Sequence, residues 1–293
     1  KDILSKDDFL LWREEQLRYG GRYLDLDWLL ELKGGLTRKN RILDVLDDAY
    51  NHYVKLNATY KSISDLWIEH VDKNIPIPYL AGVVNWKDML LEVNKDVMIP
   101  RWDTEILIDI AIEKVNKLDK GIWVEMGTGC GALGISLCKN LPKWSGHATE
   151  IEEKILDVAR RNFKKNVPNG RYNLHVGSWW EPLKDIWGSV NLALAIPPFL
   201  SKEHVNNLRK EECNFHEPQN TICAGNDGLK NCREIISGSE LALGKGGWLI
   251  LECEPGKVDD IFELMKKANL QDLESHSNSR GITKFALGRK SNL

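Results

Sequence analysis

Apolar residues recur at helical spacing through the N-terminal part of the chain: Phe9, Leu10, Trp12 and Leu17, then Trp28, Leu29 and Leu32. Steps of three and four residues place them along one face of a helix. Gly20-Gly21 and Gly34-Gly35 interrupt the run where helices would stop. Ile42, Val45, Leu46 and Ala49 predict a further helix, and Ile63, Leu66, Trp67 and His70 a last one. Residues 1–74 therefore read as a small helical bundle, with tryptophans packed inward rather than forming a binding face.

The pattern then changes. Asn74-Ile75-Pro76-Ile77-Pro78-Tyr79 carries two prolines, which favour extended backbone, so it predicts a linker. Met89, Leu91 and Val93 alternate, and Asn94-Lys95-Asp96 offers a turn, so a β-hairpin is expected between Trp86 and Met98. Residues 75–101 are read as a linker with that hairpin, and 102–293 as a larger domain. There, strands are predicted at 121–126, 145–150, 172–176, 190–195, 247–252 and 283–288. Helices fall at 104–117, 131–140, 152–166, 228–243 and 257–268. Strands alternating with helices indicate an α/β fold with a doubly wound sheet. Ligands in such sheets bind at the carboxyl ends of strands. Glu125, Glu150, Trp179 and Ile196 fall at or just beyond those ends.

Composition narrows the function without deciding it. The 293 residues are 42% hydrophobic and 28% charged, ordinary for a globular chain. A formal net charge of −3 lacks the basic excess of a protein that lives on bulk nucleic acid, so no direct nucleic-acid partner is expected. The six cysteines form no C-x-x-C pair, and reduced thiols are expected. Cys213, His216, Cys223 and Cys232 match no compact zinc spacing, so no metal is expected. No stretch approaches a membrane span, and Lys1 to Asp8 lack an apolar signal core. A monomer in the cytoplasm, or in an organelle stroma after processing, is expected.

The chemistry concentrates where an apolar strand meets a glycine turn, Val124-Glu125-Met126-Gly127-Thr128-Gly129-Cys130-Gly131, followed by His147-Ala148-Thr149-Glu150. Backbone without Cβ atoms can turn tightly and press against a ligand, and an acid at the next strand end can accept ribose hydroxyls. Gly129, Gly131 and Gly134 also satisfy the dinucleotide spacing G-x-G-x-x-G. The turn alone leaves S-adenosylmethionine and a dinucleotide both open, although Glu125 and the G-x-G-x-G run lean toward the former. His70 and His175 are read as packed or exposed, Trp179-Trp180 as half core and half site, and Glu152-Glu153 as a solvated helix start.

Ala195-Ile196-Pro197-Pro198-Phe199 follows an apolar strand. With the glycine turn it resembles the amino-methyltransferases that carry Asn/Asp-Pro-Pro-Tyr/Phe. Five further segments narrow the resemblance: Ile75 to Gly82, Val97 to Glu105, Gly177 to Leu183, Phe215-His216-Glu217-Pro218-Gln219 and Gly225-Asn226-Asp227-Gly228-Leu229. Together, in this order, they resemble the protein-(glutamine-N5) methyltransferases of peptide-chain release factors, in a cyanobacteria-like form, over nearly the whole chain. The resemblance implies a Rossmann-like S-adenosyl-L-methionine-dependent catalytic domain and class I release factors as partners. It implies the glutamine of their Gly-Gly-Gln motif as acceptor. Gly127, Thr128, Gly129, Cys130 and Gly131 would then wrap the cofactor. Glu150 would take its ribose, Trp179 would lie by the adenine, and Ile196 would border both cofactor and acceptor. Ile196, Pro197, Pro198 and Phe199 would hold the glutamine amide, and residues 1–74 would recognise the substrate protein.

One position departs from that pattern: Ile stands at 196 where the family carries Asn. Ile has no side-chain acceptor, so half of the expected amide clamp is missing and slow turnover is expected. Two other functions fit parts of the sequence. A nucleic-acid adenine-N6 methyltransferase shares the Pro-Pro-aromatic segment. A non-catalytic S-adenosylmethionine-binding homologue would also tolerate Ile196.

Overall fold

A computed structural model of the chain describes residues 3–36, 53–211, 216 and 223–292. It divides into two compact units, Lys1–Asn85 and Trp86–Leu293.

In the first unit, β1 (Ile3–Ser5) leads into α1 (Lys6–Tyr19), α2 (Tyr23–Leu29) and a π-helical turn at Leu30–Gly34; β2 (Tyr53–Lys55) and α3 (Tyr60–Lys73) follow. Ser5 and Thr59 cap α1 and α3, each accepting a backbone N–H at 3.1 Å. Phe9, Leu26, Leu29, Leu30, Ile63 and Trp67 make the core. Trp67 is fully buried, while Trp12 and Trp28 pack against that core from its edge, as expected for inward-facing tryptophans.

Three expectations need correcting here. The unit is not purely helical, because β1 and β2 pair antiparallel. The Pro76–Pro78 segment is not extended: α4 (Ile77–Ala81) forms there, with Pro76 at the cap and Pro78 in the first turn. Amide hydrogens in a first turn lack intrahelical acceptors, so a proline there forfeits nothing. The hairpin lies earlier than expected. It joins β3 (Val83–Trp86) to β4 (Met89–Glu92) and turns at Lys87, whose φ is +50°. Asn94 instead accepts the Asp96 amide in a local side-chain turn. The unit boundary falls between Asn85 and Trp86, inside the segment read as linker. The helix expected at 42–49 lies outside the described residues.

In the second unit, α5 (Ile106–Val115) precedes β5 (Ile122–Met126), α6 (Ala132–Asn140), β6 (Ser145–Glu150), α7 (Glu153–Asn166) and β7 (Tyr172–Val176). Then come β8 (Val190–Ala195), α8 (Lys202–Glu211), α9 (Lys230–Ala242), β9 (Leu243–Glu252), α10 (Val258–Lys267), β10 (Leu270–Ser277) and β11 (Thr283–Lys290). The seven-stranded sheet has the order β10-β11-β9-β8-β5-β6-β7. Its inner strands run parallel from β9 to β7, and β11 inserts antiparallel beside β9. Val124, Ala193, Leu194, Leu249 and Ile250 are fully buried, as strands covered by helices on both faces require. On α7, Ile155, Leu156, Val158, Ala159 and Phe163 turn inward.

This is a Rossmann-like α/β fold. Two elements, α8 and β10, were not anticipated. In β10 only Leu270 is buried and the rest is half-buried or exposed, so it lacks a clear two-residue alternation; α8 is a short polar helix.

Candidate active site

The β5 strand ends at Met126, and the chain passes through Gly127, Thr128, Gly129, Cys130 and Gly131 into α6. The three glycines have φ of +75°, +55° and +90°. A Cβ on Gly129 would meet nothing within 4 Å. It would project into open space, so the glycine there keeps backbone accessible rather than relieving a clash. The turn is tied down from β6: the Gly127 and Thr128 amides donate to the Thr149 carbonyl at 2.9 and 3.0 Å. Buried Asn162 of α7 reaches the Cys130 carbonyl at 2.9 Å.

Two carboxylates organise the turn. Glu125 Oε2 accepts from Thr128 Oγ1 at 2.6 Å and from the Gly134 amide at 2.9 Å. Burial pushes its carboxyl up to about 8, with those two hydrogen bonds opposing. Glu150, the last residue of β6, accepts the Gly129 amide at 3.1 Å and the Ile151 amide at 2.9 Å. Burial raises its carboxyl too, against those backbone donors.

The segment after β8 is braced from behind. Asn231 Nδ2 donates to the Pro198 carbonyl at 2.9 Å. Leu200 bridges to Cys223, and the Ala224 amide donates to the Leu200 carbonyl at 2.8 Å. Gly228 (φ +75°) approaches so closely that a Cβ on it would lie 2.5 Å from the Phe199 carbonyl oxygen. Asp227 accepts the Leu229 amide and pairs with Arg233, whose guanidinium holds the Asp227 carboxyl down at about 2. The segment 225–229 thus supports Phe199 from behind. Of 215–219, only His216 is described.

A cavity of about 230 Å³ joins these two features. Gly127, Thr128, Gly129 and Cys130 line it on one side, and Ile196, Pro197, Pro198 and Phe199 on the other. Gly131, Glu150 and Trp179 do not line it. Gly131 packs toward Phe163, where a Cβ would meet the ring at 2.9 Å. Glu150 reaches the turn through Gly129. Trp179 stands over Gly127, 3.3 Å from where a Cβ there would be, and its Nε1 donates to Glu234 at 3.2 Å. Trp180 is a core residue, donating to the Ile235 carbonyl at 2.8 Å.

The cavity also takes in Trp86, Met98, Pro100, Arg101, Thr104 and Glu252, none of which carried a predicted role. Thr104 Oγ1 donates to Glu252 Oε2 at 3.1 Å, and Lys284 Nζ donates to Glu252 Oε1 at 2.8 Å and to Asp103 Oδ2 at 2.9 Å. Burial opposes the Lys284 charge, but Glu252 and Asp103 outweigh it and hold the ammonium above its ordinary range. Glu252 carried one available signal, its place at the end of a predicted strand. Lys284 carried none: it reaches Glu252 because β11 pairs Phe285 with Glu252.

Residues 104–212 match the family described as Methyltransferase small domain. The release factor glutamine methyltransferase of Prochlorococcus marinus is 37% identical over 287 residues, covering 97% of each chain. That of Synechocystis is 31% identical over 300 residues, covering 99% of this chain and 98% of the other. The chain belongs to the release factor glutamine methyltransferase family. As a member of that family it is an S-adenosylmethionine-dependent methyltransferase. The hMettl16 catalytic domain, solved with the MAT2A 3'UTR hairpin 1, has the same fold, with a TM-score of 0.57, 13% identity and coverage of 92% and 91%.

The residues fit this cofactor. Two acidic side chains, Glu125 and Glu252, line the cavity, and a positively charged ligand there would favour their ionised forms. The Gly129 backbone is open to it. Glu150 keeps carboxylate lone pairs beyond its backbone donors.

Proposed function

We propose that this methyltransferase family member modifies the side-chain amide nitrogen of the glutamine in the Gly-Gly-Gln motif of class I release factors. The observation that carries the reading is the single cavity shared by the glycine turn and Ile196–Phe199. A methyl donor held by the turn faces an acceptor held by that segment. Bound S-adenosylmethionine supplies an electrophilic methyl group on a sulfonium. The chain's own task is alignment, because an in-line displacement gains most from fixed geometry. Gly127 to Cys130 and Glu150 hold the donor, with Trp179 over Gly127. Pro197, Pro198 and Phe199 form a rigid wall for the amide, and Asn231 and Gly228 fix its position.

Ile196 supplies no side-chain acceptor for an amide N–H, so turnover is slow relative to a member with Asn there. The helical unit recognises the release-factor protein, and the chain works as a cytoplasmic monomer. No helix among the described residues is long and apolar enough to cross a membrane. The deciding experiment is mass spectrometry of the Gly-Gly-Gln peptide after a release factor is incubated with the chain and S-adenosylmethionine. A methyl group on that glutamine is expected. An unmodified peptide after prolonged incubation, or methyl transfer to adenine in nucleic acid instead, would overturn the reading.

A further inference from the structure

We infer that Glu252 is a catalytic residue that accepts an N–H of the substrate amide and takes up its proton, in place of the side-chain acceptor that Ile196 lacks. This rests on the glutamine-amide reading above. Strands β8 and β9 run parallel with Ala195 opposite Leu251. The next residues along the two strands are Ile196 and Glu252, neighbours at adjoining strand ends about 5 Å apart, and both line the cavity.

Other polar side chains of the cavity do not meet the need for an acceptor that also takes up a proton. Arg101 can only donate. The Thr104 and Thr128 hydroxyls, which donate to Glu252 and Glu125, keep acceptor lone pairs but are far weaker bases than a carboxylate. Glu125 is held at the glycine turn by Thr128 and Gly134, which leaves Glu252 beside the acceptor segment. Each Glu252 oxygen has one protein donor, Lys284 on Oε1 and Thr104 on Oε2. A carboxylate offers about four lone-pair sites, so sites remain for an amide N–H.

The chemistry balances. The methyl–sulfur bond breaks with its electron pair left on sulfur, and the amide nitrogen's lone pair forms the new carbon–nitrogen bond. Nitrogen then carries a positive charge until one of its hydrogens leaves as a proton to the Glu252 carboxylate. A sulfonium becomes a thioether, an amide an N-methylamide, and a carboxylate a carboxylic acid. Burial raises the Glu252 carboxyl while Lys284 and Thr104 oppose it. The group is thus a better proton acceptor than an exposed carboxylate.

The test uses the full chain, a Gly-Gly-Gln-containing release factor and single-turnover kinetics across pH. Glu252→Gln is expected to lower the rate by about a hundredfold or more and to abolish the acid limb of the pH–rate profile. It should leave S-adenosylhomocysteine affinity unchanged by calorimetry and weaken binding of a Gly-Gly-Gln peptide to that complex. Glu252→Asp is expected to restore part of the rate and the acid limb. Thr104→Val, which removes a donor that stabilises the ionised Glu252, is expected to move the limb to higher pH; it decides the matter if Glu252→Gln does not fold. A Glu252→Gln enzyme with the parent's rate and profile, or an unmoved limb in Thr104→Val, would overturn this role while parental methylation upholds the function. A parent inactive on the release factor would overturn both.

Discussion

At position 129 the backbone, not a side chain, would meet the proposed cofactor. Gly129 has φ +55° and its Cβ direction is open. Gly129→Val would strain the turn and project two methyl groups into cofactor space. Calorimetry should show S-adenosylhomocysteine binding abolished in a folded protein; retained affinity would place the cofactor elsewhere. At position 196 the expected change is a gain. Ile196→Asn restores an acceptor and should raise the single-turnover rate by about tenfold or more with little effect on cofactor affinity. Equal rates would show that residue 196 does not hold the amide.

Glu125 makes the third residue-scale prediction. Its carboxyl lies near 8 in the fold against an ordinary value of 4.5. Between those values the unfolded chain is ionised while the fold keeps the proton, so folding takes up a proton. Its contribution to stability is full below 4.5 and is lost as pH rises through about 8, at up to about 1.4 kcal/mol per pH unit. Glu125→Gln should therefore flatten this fall in denaturant titrations across that window. A pH slope identical to the parent's would show that Glu125 is ionised throughout.

Elements matter here mainly as braces. The loop before α9 holds the segment after β8 through the Leu200–Cys223 bridge and the close approach of Gly228. Gly228→Ala introduces a Cβ at positive φ and 2.5 Å from a carbonyl oxygen. Backbone strain of this kind costs about 1–3 kcal/mol. The variant should lose stability by that order and lose turnover, with cofactor affinity retained; unchanged turnover would show that the brace does not position Phe199. Element by element, the parallel strands were legible because buried apolar runs between glycine-rich turns have few other readings. The hairpin was not. Alternation runs through Met89, Leu91 and Val93 into Asn94-Lys95-Asp96, which reads as a turn, whereas the strand that pairs with Met89–Glu92 is Val83–Trp86. Helix α4 escapes the sequence because two prolines read as extended backbone, whereas one at the cap and one in the first turn are harmless to a helix.

At the scale of the whole molecule, each unit has its own hydrophobic core, one around Phe9, Leu29 and Trp67 and the other around Val124, Ala193 and Leu251. Deleting residues 1–85 should leave a folded methyltransferase unit with S-adenosylhomocysteine affinity nearly unchanged and methylation of the intact release factor weakened. Undiminished methylation by that truncated chain would remove the helical unit from substrate recognition. Sequence alone determined the alternating α/β order, the glycine turn, Glu150 at a strand end and the Ile196–Phe199 segment, because each is a local pattern of residue type and spacing. Only the tertiary structure decided which carboxylates face the cavity. Strand order places β9 beside β8, so Glu252 meets Ile196 across two strand ends 56 positions apart in sequence. The antiparallel insertion of β11 carries Lys284 to Glu252. Such meetings are set by sheet pairing between distant segments, and no local period in the chain encodes them.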